Sequence, residues 1–282
     1  PQFMVSRLAS THVKVVLGGQ GGDEVFGGYA RYMVAYLEQC LKGGIFATQE
    51  EGRHIVTLHS IIPNLSILRQ YIPMLQKQFS SGLFDSMERR YFKLINRSLD
   101  ADQIYSQDFL REFNNESIFE KFSKIFNSSQ TKSYFNKMTH YDIKTTLPAL
   151  LHVEDRASMA ASIESRVPLL DTRIVELAAK MPPAMKFSGG RTKYILSQAA
   201  KSIVPNEIIN RQDKMGFPVP LYEWFTGPLK GYVTDVLFSQ KARCRGLYNI
   251  KQIKEKLSHP SKFDRSLWGV LNIEMWYRTF ID

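Results

Sequence analysis

A glycine-rich segment, Gly18-Gly-Gln-Gly-Gly22, is followed at once by Asp23 and Glu24. Successive glycines leave backbone N–H groups unobstructed, and a helix that begins behind them favours an anion. A carboxylate at the end of such a loop can hold a divalent cation that bridges phosphates. The segment therefore predicts either a nucleotide or pyrophosphate cradle with Asp23 as a Mg²⁺ ligand, or a tight turn that Asp23 caps. It is not a P-loop, because no Gly-Lys-Ser/Thr follows, and Glu24 breaks the G-x-G-x-x-G pattern.

Two lysines lie beside other glycines. Lys193 ends the segment Ser188-Gly-Gly-Arg-Thr-Lys193, and Lys214 stands two residues before Gly216 in a proline-containing loop. A lysine in either place could neutralise charge on a transferring phosphoryl or adenylyl group. The alternatives are a turn that starts a helix for Lys193 and a solvated loop lysine for Lys214.

A third segment combines acids with arginines over residues 154–171. One interpretation is a buried polar network that includes Asp155. The other is a cluster of caps and ion pairs that orders the turn at Pro168, and the sequence favours this second interpretation for Glu164, Arg166 and Asp171.

The six histidines and two cysteines show no metal-binding or nucleophilic pattern. No H-x-x-x-H pair, HExxH or Ser-His-Asp signature occurs, and Cys40 and Cys244 cannot form a disulfide framework. We therefore expect a reduced, cytoplasmic protein.

Apolar spacing predicts the elements that hold these segments. Residues 12–17 read as a buried parallel strand, and Tyr29 to Leu41 as a helix behind the glycines. Further helices are expected in segments with apolar residues at helical spacing, at 2–9, 65–79, 87–99, 117–126, 133–163 (interrupted near Pro148), 172–181, 192–203, 207–211, 228–242, 250–257 and 264–281. The aromatic residues of the last helix are expected to face the core.

Composition narrows the classes of protein. Of 282 residues, 44% are hydrophobic and 23% charged, which are ordinary globular values and exclude overall disorder. No run of about eighteen apolar residues occurs, so no transmembrane helix is expected. Lys plus Arg exceeds Asp plus Glu by 37 − 27 = 10. This excess favours anionic partners, but the basic residues are scattered and predict no nucleic-acid surface.

Taken together, five segments resemble the synthetase domain of glutamine-dependent asparagine synthetases. In chain order they are VVLGGQGGDEVFGGYARY, HVEDRASMAASIESRVPLLD, SGGRTKYIL, NRQDKMGFPVPLYEWF and WGVLNIEMWYRTF. The resemblance implies that residues 1–282 are a partial synthetase domain. Residues 1–40 would be the remnant of a nucleotide-binding sheet and 41–282 mostly helical. The expected fold is mainly α with a small parallel-sheet remnant, a truncated α/β domain of the adenine-nucleotide alpha-hydrolase-like (ATP pyrophosphatase) type.

The resemblance also implies a reaction. ATP would adenylate the side-chain carboxylate of aspartate, and ammonia from a glutaminase domain would attack the β-aspartyl-adenylate to give asparagine, AMP and pyrophosphate. ATP and Mg²⁺ are thus the expected cofactors, and the charge on the pyrophosphate must be neutralised by the metal ion and lysines.

Matched position by position, the resemblance assigns roles to individual residues. Asp23 matches the acid that binds Mg²⁺, Lys214 is the expected catalytic cation, and Asp155 lies in the segment that lines the aspartate side of the cleft. The residues expected to contact the nucleotide are Gly18 (where the family usually has Ser), Gly19, Gln20, Gly21, Gly22, Asp23 and Lys193.

The sequence also departs from the family. Nothing in it matches the pyrophosphate loop S-G-G-x-D-S-S or the glutaminase domain, and the chain starts at Pro1. We therefore expect a fragment of a longer protein that is inactive alone and that could dimerise through exposed apolar surface. Three alternatives stay open at this point. They are an amidotransferase of the same fold acting on another carboxylate (a surface polysaccharide or a peptide), a non-catalytic helical binding module, and a nucleic-acid binder, which the scattered basic residues disfavour.

Overall fold

A computed structural model describes residues 1–46, 72–83, 85–97, 101–112, 115–128, 130–211, 219–259 and 265–282. The chain divides into two compact units. The first comprises Pro1–Leu94 and Glu120–Phe217, and the second comprises Ile95–Phe119 and Pro218–Asp282.

A parallel pair of short strands lies in the first unit. Strand β1 (Val15–Leu17) pairs with β2 (Glu164–Arg166), so that Val16 lies opposite Ser165. This confirms a small parallel sheet, although β1 is shorter than predicted and β2 was not predicted as a strand. Val15 and Leu17 are exposed rather than buried, because no element of the described residues packs over the face of β1 that they share.

Helices make up most of the rest of the first unit. They are α1 (Gln2–Ser10), α2 (Gly22–Phe26), α3 (Ala30–Phe46), α4 (Ile72–Phe79), α5 (Met87–Ile95), α8 (Asn115–Phe126), α9 (Tyr134–Lys144), α10 (Thr146–Met159), α11 (Thr172–Lys180), α12 (Pro183–Lys186), α13 (Tyr194–Ala200) and α14 (Asn206–Ile209), with α5 and α8 running a few residues past the unit's boundary.

The core of the first unit is rich in aromatic side chains. Tyr32, Tyr36, Tyr91, Phe126 and Phe135 are all nearly or fully buried, and their rings meet at 5.7–6.5 Å between centroids. Edge-to-face and offset pairs of this kind add to the free energy gained by burying the rings. The arrangement joins α3, α5, α8 and α9 into one body.

The second unit is a smaller helical assembly. Its helices are α6 (Ala101–Ile104), α7 (Gln107–Glu112), α15 (Leu221–Thr226), α16 (Lys230–Leu237), α17 (Gln240–Cys244), α18 (Ile250–Ser258) and α19 (Ser266–Phe280). Its core is mostly aliphatic, with Val233, Leu237, Ile253 and Val270 almost fully buried. The carboxylate of Glu274, also fully buried, accepts hydrogen bonds from Arg245 (2.8 Å) and Arg278 (3.0 Å).

Two helix predictions need correction. The helical stretch 133–163 breaks at Thr145 rather than near Pro148, because Pro148 lies in the first turn of α10, where a missing N–H costs no hydrogen bond. The stretch 228–242 is two helices, because Ser239 starts a new one by accepting a hydrogen bond from the Ala242 N–H (3.2 Å).

The prediction that the aromatic residues of the last helix face the core is wrong. Trp268, Trp276 and Phe280 are 42%, 50% and 70% exposed, whereas the buried positions of α19 are Leu267, Val270, Leu271 and Glu274. Helix α19 has two apolar faces, one aromatic and one mainly aliphatic. Helical spacing alone does not show which face is buried, and in the structure it is the aliphatic one.

Apolar side chains are also exposed around β1. In addition to Val15 and Leu17, helix α1 exposes Met4 and Leu8, each about two-thirds accessible. Within the described ranges, no helix is both long and apolar enough to cross a membrane.

Candidate functional site

The glycine segment leaves the carboxyl end of β1 as a tight loop. The Gly18 N–H donates to the Arg166 carbonyl (2.7 Å), which continues the pairing with β2 by one residue. Gly21 has a φ of +85°, and a Cβ at that position would overlap the Leu170 side chain. Only glycine satisfies both conditions, so the loop's course depends on Gly21.

Helix α2 begins directly behind this loop and is only five residues long. The Val25 N–H donates to the Gly21 carbonyl (2.9 Å), and Val25 and Phe26 are buried against Ala178 of α11. Gly27 ends the helix with a φ of +71°. The fold thus fixes α2 by packing, and the direction of the Asp23 side chain follows from it.

Asp23 forms an ion pair with Lys193, with 3.0 Å between Oδ1 and Nζ. The two side chains are 26% and 33% exposed, so the pair is reached by solvent. Lys193 precedes α13 in a left-handed conformation (φ 53°), which is uncommon for a residue other than glycine and accompanies the approach of its side chain to the loop. The structure therefore brings together two residues that lie 170 positions apart in the sequence and that were both predicted to contact the nucleotide.

Glycines form the surface against which the Lys193 side chain lies. A Cβ added at Gly22 would be 3.7 Å from the Lys193 ammonium, and one added at Gly28 would overlap both Asp23 Oδ1 and Lys193 Cε. The Gly28 N–H also donates to the Asp23 carbonyl (2.8 Å). Gly28, which was not among the predicted site residues, thus leaves the space that the ion pair occupies.

A buried carboxylate, Glu154, lies against the start of the loop. Its side chain is 6% exposed, its Oε1 accepts a hydrogen bond from Ser165 Oγ (2.5 Å), and a Cβ at Gly18 would approach that oxygen to 2.7 Å. Glu154 was not among the predicted site residues. The buried residues Leu147, Glu154 and Ser158 lie on one face of α10, and this helical spacing could have indicated that Glu154 is buried.

The other predicted site residues lie in different surroundings. Gly19 is exposed, and a Cβ there would meet no atom within 4 Å, while Gln20 is half-buried. Asp155 is an exposed residue of α10, 4.0 Å from the guanidinium of Arg156. Lys214 lies outside the described residues. The roles assigned to these residues stay predictions.

Glu24, next to Asp23 in the sequence, has a different environment. It is 1% exposed and accepts a hydrogen bond from the Tyr29 hydroxyl (2.5 Å). Burial and the neighbouring carboxylate raise the pKa of Tyr29 well above its usual value, so its hydroxyl stays a proton donor. The guanidinium of Arg31 stacks on the Tyr29 ring at 3.7 Å from its centroid.

Arg31 in turn leads to a second buried carboxylate, Asp142. Oδ2 of Asp142 forms an ion pair with the Arg31 guanidinium (2.8 Å) and accepts hydrogen bonds from the hydroxyls of Tyr32 (2.5 Å) and Tyr91 (2.7 Å). Oδ1 accepts a hydrogen bond from the Thr146 hydroxyl (2.8 Å). Burial and the Asp142 carboxylate raise the pKa of both tyrosines. This network joins α3, α5, α9 and α10.

The ion-pair and capping interpretation of the 164–171 segment agrees with the structure. Glu164 pairs with Arg166 (2.8 Å) at the surface, and Asp171 caps α11 by accepting the Arg173 N–H (2.9 Å). The hydrogen bonds from Arg173 lower the pKa of Asp171 to about 2.

A metal ion has one candidate ligand at the loop. No group of three or more His, Cys, Asp or Glu suited to a metal lies in the part of the chain that the structure describes. Mg²⁺ at phosphate sites is commonly held by one or two carboxylates, with phosphate oxygens and water completing its coordination. Asp23 therefore fits a Mg²⁺ that arrives with a phosphate ligand, but not a site built from protein ligands alone.

Comparison with known proteins gives a family and several relatives. The family model described as asparagine synthase matches residues 1–278. Asparagine synthetase [glutamine-hydrolyzing] 1 of Bacillus subtilis is 28% identical over 288 residues, covering 100% of this chain and 43% of the relative. Asparagine synthetase [glutamine-hydrolyzing] 3 of the same organism is 32% identical over 108 residues, covering 38% of this chain and 17% of the relative. The chain spans less than half the length of these relatives.

A relative with a different name also matches most of the chain. The amidase chry2 of Gibberella zeae is 25% identical over 240 residues, covering 80% of this chain and 35% of the relative. Proteins similar to this chain therefore carry more than one functional name.

Proposed function

The chain belongs to the asparagine synthase family, and from this premise we propose that it is part of an ATP-dependent amide ligase. The proposed reaction converts aspartate, ATP and glutamine-derived ammonia to asparagine, AMP and pyrophosphate through a β-aspartyl-adenylate. The observation that supports it most is the solvent-accessible pair Asp23–Lys193 at a glycine loop.

The chemistry demands an arrangement of this kind. A carboxylate is a poor acyl donor, and attaching AMP gives it a leaving group. The cost is negative charge on the departing pyrophosphate, which fixed cations stabilise most in a partly dehydrated site. Lys193, whose side chain lies against Gly22 and Gly28, offers one such cation. Lys214 is proposed as the second cation and as the catalytic one.

We assign the remaining residues as follows. Gly18, Gly19, Gln20, Gly21 and Gly22 form the loop that receives the nucleotide, and the open space at Gly19 leaves room for the ligand to approach the backbone. Asp23 would hold Mg²⁺, which supplies charge neutralisation on the phosphates when bound. Asp155 is proposed to line the aspartate side, where its exposure would let it reach a ligand.

The proposed partners follow from the same family. Aspartate and ATP are the small-molecule substrates, and ammonia would come from a glutaminase domain outside these residues, in the cytoplasm. The exposed apolar residues near β1 support a further proposal, that copies of residues 1–282 form a homodimer. Static light scattering would detect that dimer.

A second acceptor stays a candidate because one relative is named an amidase. The same adenylation could activate a carboxylate other than aspartate, such as one on a surface polysaccharide or a peptide. Only the pocket for the acceptor would differ, while the Asp23–Lys193 pair would serve both reactions.

Exchange of labelled pyrophosphate into ATP tests the proposal. The complete gene product should catalyse exchange that depends on aspartate, whereas residues 1–282 alone, which contain no S-G-G-x-D-S-S segment, should not. Exchange supported by another carboxylate but not by aspartate would favour the second acceptor. Complete absence of exchange with a panel of carboxylates would contradict both.

A further inference from the structure

A cavity of about 130 Å³ lies in the first unit, and Gly28 is one of the residues that line it. Its walls are the start of α3, the turn before α13, one face of α13, and the last residue of α14 with the two residues that follow it. A single water molecule needs about 10–15 Å³ by this measure, so the cavity admits a ligand of several atoms. Neither Asp23 nor any residue of Gly18–Gly22 lines it.

The charged side chains that line this cavity within the described ranges are all basic. Arg191, Lys201 and Arg211 line it, and none of the described residues that line it is acidic. Arg191 and Lys201 form no ion pair with any residue in the described ranges. Cations gathered at a concave surface reinforce one another's potential and attract anions.

Hydrogen-bond donors accompany these cations. Thr192, Ser197 and Gln198 line the same cavity, so hydroxyl and amide groups are available beside the guanidinium and ammonium groups. Arginine is suited to bind phosphate because its planar guanidinium offers paired N–H donors. Arg191 and Lys201, two cations with no ion pair in the described ranges, suit a ligand with more than one negative charge better than a monocarboxylate.

The turn before α13 fixes where these groups lie. Ser188 and Arg191 exchange backbone hydrogen bonds of 3.1 and 2.9 Å across two glycines with positive φ, so Arg191 is held by a closed turn. The segment 188–193 therefore contributes residues to both the cavity and the ion pair. Arg191 and Thr192 line the cavity, and Lys193 pairs with Asp23.

From this arrangement we propose that the cavity is a second anion site, which binds a small polyanion of the phosphate class. Gly28 lines the cavity and also adjoins the Asp23–Lys193 pair. An anion bound in the cavity would therefore be separated from that pair by Gly28. The proposal does not rest on the proposed function, since binding requires no turnover.

Calorimetric titration of the 282-residue chain with inorganic pyrophosphate tests this site. The buffer contains a chelator and no divalent cation, so that an anion held through a metal at Asp23 is not counted. We expect one pyrophosphate per chain, with affinity reduced at least tenfold in the Arg191→Gln/Lys201→Gln double variant. Lys193→Met should change the affinity by less than threefold.

Matched controls separate this site from general attraction to a basic protein. Lys230→Gln/Lys251→Gln removes two exposed lysines of the second unit and should leave the affinity unchanged. If circular dichroism shows the first double variant unfolded, Arg191→Gln and Lys201→Gln are tested singly, each with an expected loss of at least threefold.

Three results would overturn the proposal. They are no measurable binding, equal losses in the control variant, or loss confined to Lys193→Met, which would move the anion to the glycine loop. Competition by ATP identifies the source of the ligand. Displacement of pyrophosphate would mean that the site accepts the phosphates of a nucleotide, and lack of displacement would mean that it accepts only free anions.

Discussion

Two groups of charged side chains in the first unit differ in how fully each charge is neutralised. Asp142, 1% exposed, accepts four hydrogen bonds, including an ion pair with Arg31. Asp23 and Lys193 are about a quarter and a third exposed and lie beside backbone without side chains. The hydrogen bonds of Asp142 are all made to protein groups, so we expect it to bind no ligand. In the accessible pair, Lys193 could instead contact a phosphate and Asp23 a metal ion.

The contrast recurs between neighbours in the sequence. Glu24 is buried and bonded to Tyr29 while Asp23 is accessible, and Glu154 is buried under Gly18 while Asp155 is exposed. In both places one acid is buried and its neighbour in the sequence is accessible to solvent. We infer that fully hydrogen-bonded buried charges build the scaffold and accessible ones are available for chemistry, and four pairs of substitutions test this division.

Asp142→Asn should have the largest effect. It removes the charge that neutralises Arg31 in a nearly closed environment, and breaking a buried ion pair in this way typically costs about 3–5 kcal/mol. Urea unfolding should detect the loss. Asp108→Asn, which alters an exposed pair with Arg111, serves as the control and should change stability by less than about 0.5 kcal/mol.

Lys186→Met examines a buried cation, 5% exposed. Burial lowers the pKa of Lys186 from 10.5 to about 8, so the folded state disfavours the charged form. Between pH 8 and 10.5 the unfolded chain binds the proton and the folded chain does not, so the contribution of Lys186 to stability rises with pH in that window.

The wild type is therefore expected to be less stable than Lys186→Met by up to about 3 kcal/mol below pH 8, and this gap should narrow towards pH 10.5. Unfolding curves of both proteins at several pH values measure it. A gap that is independent of pH would contradict the assignment, and Lys180→Met, an exposed lysine of α11, controls for the loss of a charge.

Gly28→Ala should cost about 1–3 kcal/mol, because the new methyl group overlaps the Asp23–Lys193 pair and forces it apart. Gly19→Ala is the matched control, since no atom lies within 4 Å of its added methyl group. Equal stability of the two variants in thermal unfolding would show that the pair does not occupy the space beside Gly28.

The smallest effect is expected at Asp155. Asp155→Ala should change stability by less than about 0.5 kcal/mol, whereas Glu154→Ala leaves Ser165 without its acceptor and should cost about 1–3 kcal/mol. Chemical unfolding of the two variants compares adjacent acids directly. A larger loss at Asp155 would reverse their assignment.

The sequence predicted the glycine loop, Gly18–Gly22, and the charged residues Asp23 and Lys193 beside it. The prediction was possible because a run of glycines directly after an apolar strand is typical of a tight loop. Strand β2 was not predicted, since Glu164-Ser-Arg166 has no apolar residue and becomes a strand only by pairing with β1. The roles of Gly28 and Glu154 depend on contacts between segments distant in the chain, which spacing along a single segment does not reveal.

The most direct test of the account is aspartate-dependent exchange of pyrophosphate into ATP by the complete gene product carrying Asp23→Asn, alongside its melting temperature. The account predicts that exchange falls by about 100-fold or more, the scale expected for losing a fixed electrostatic partner of the transition state, with the melting temperature unchanged. Full exchange activity in Asp23→Asn would contradict it, because the accessible pair would then have no part in the chemistry.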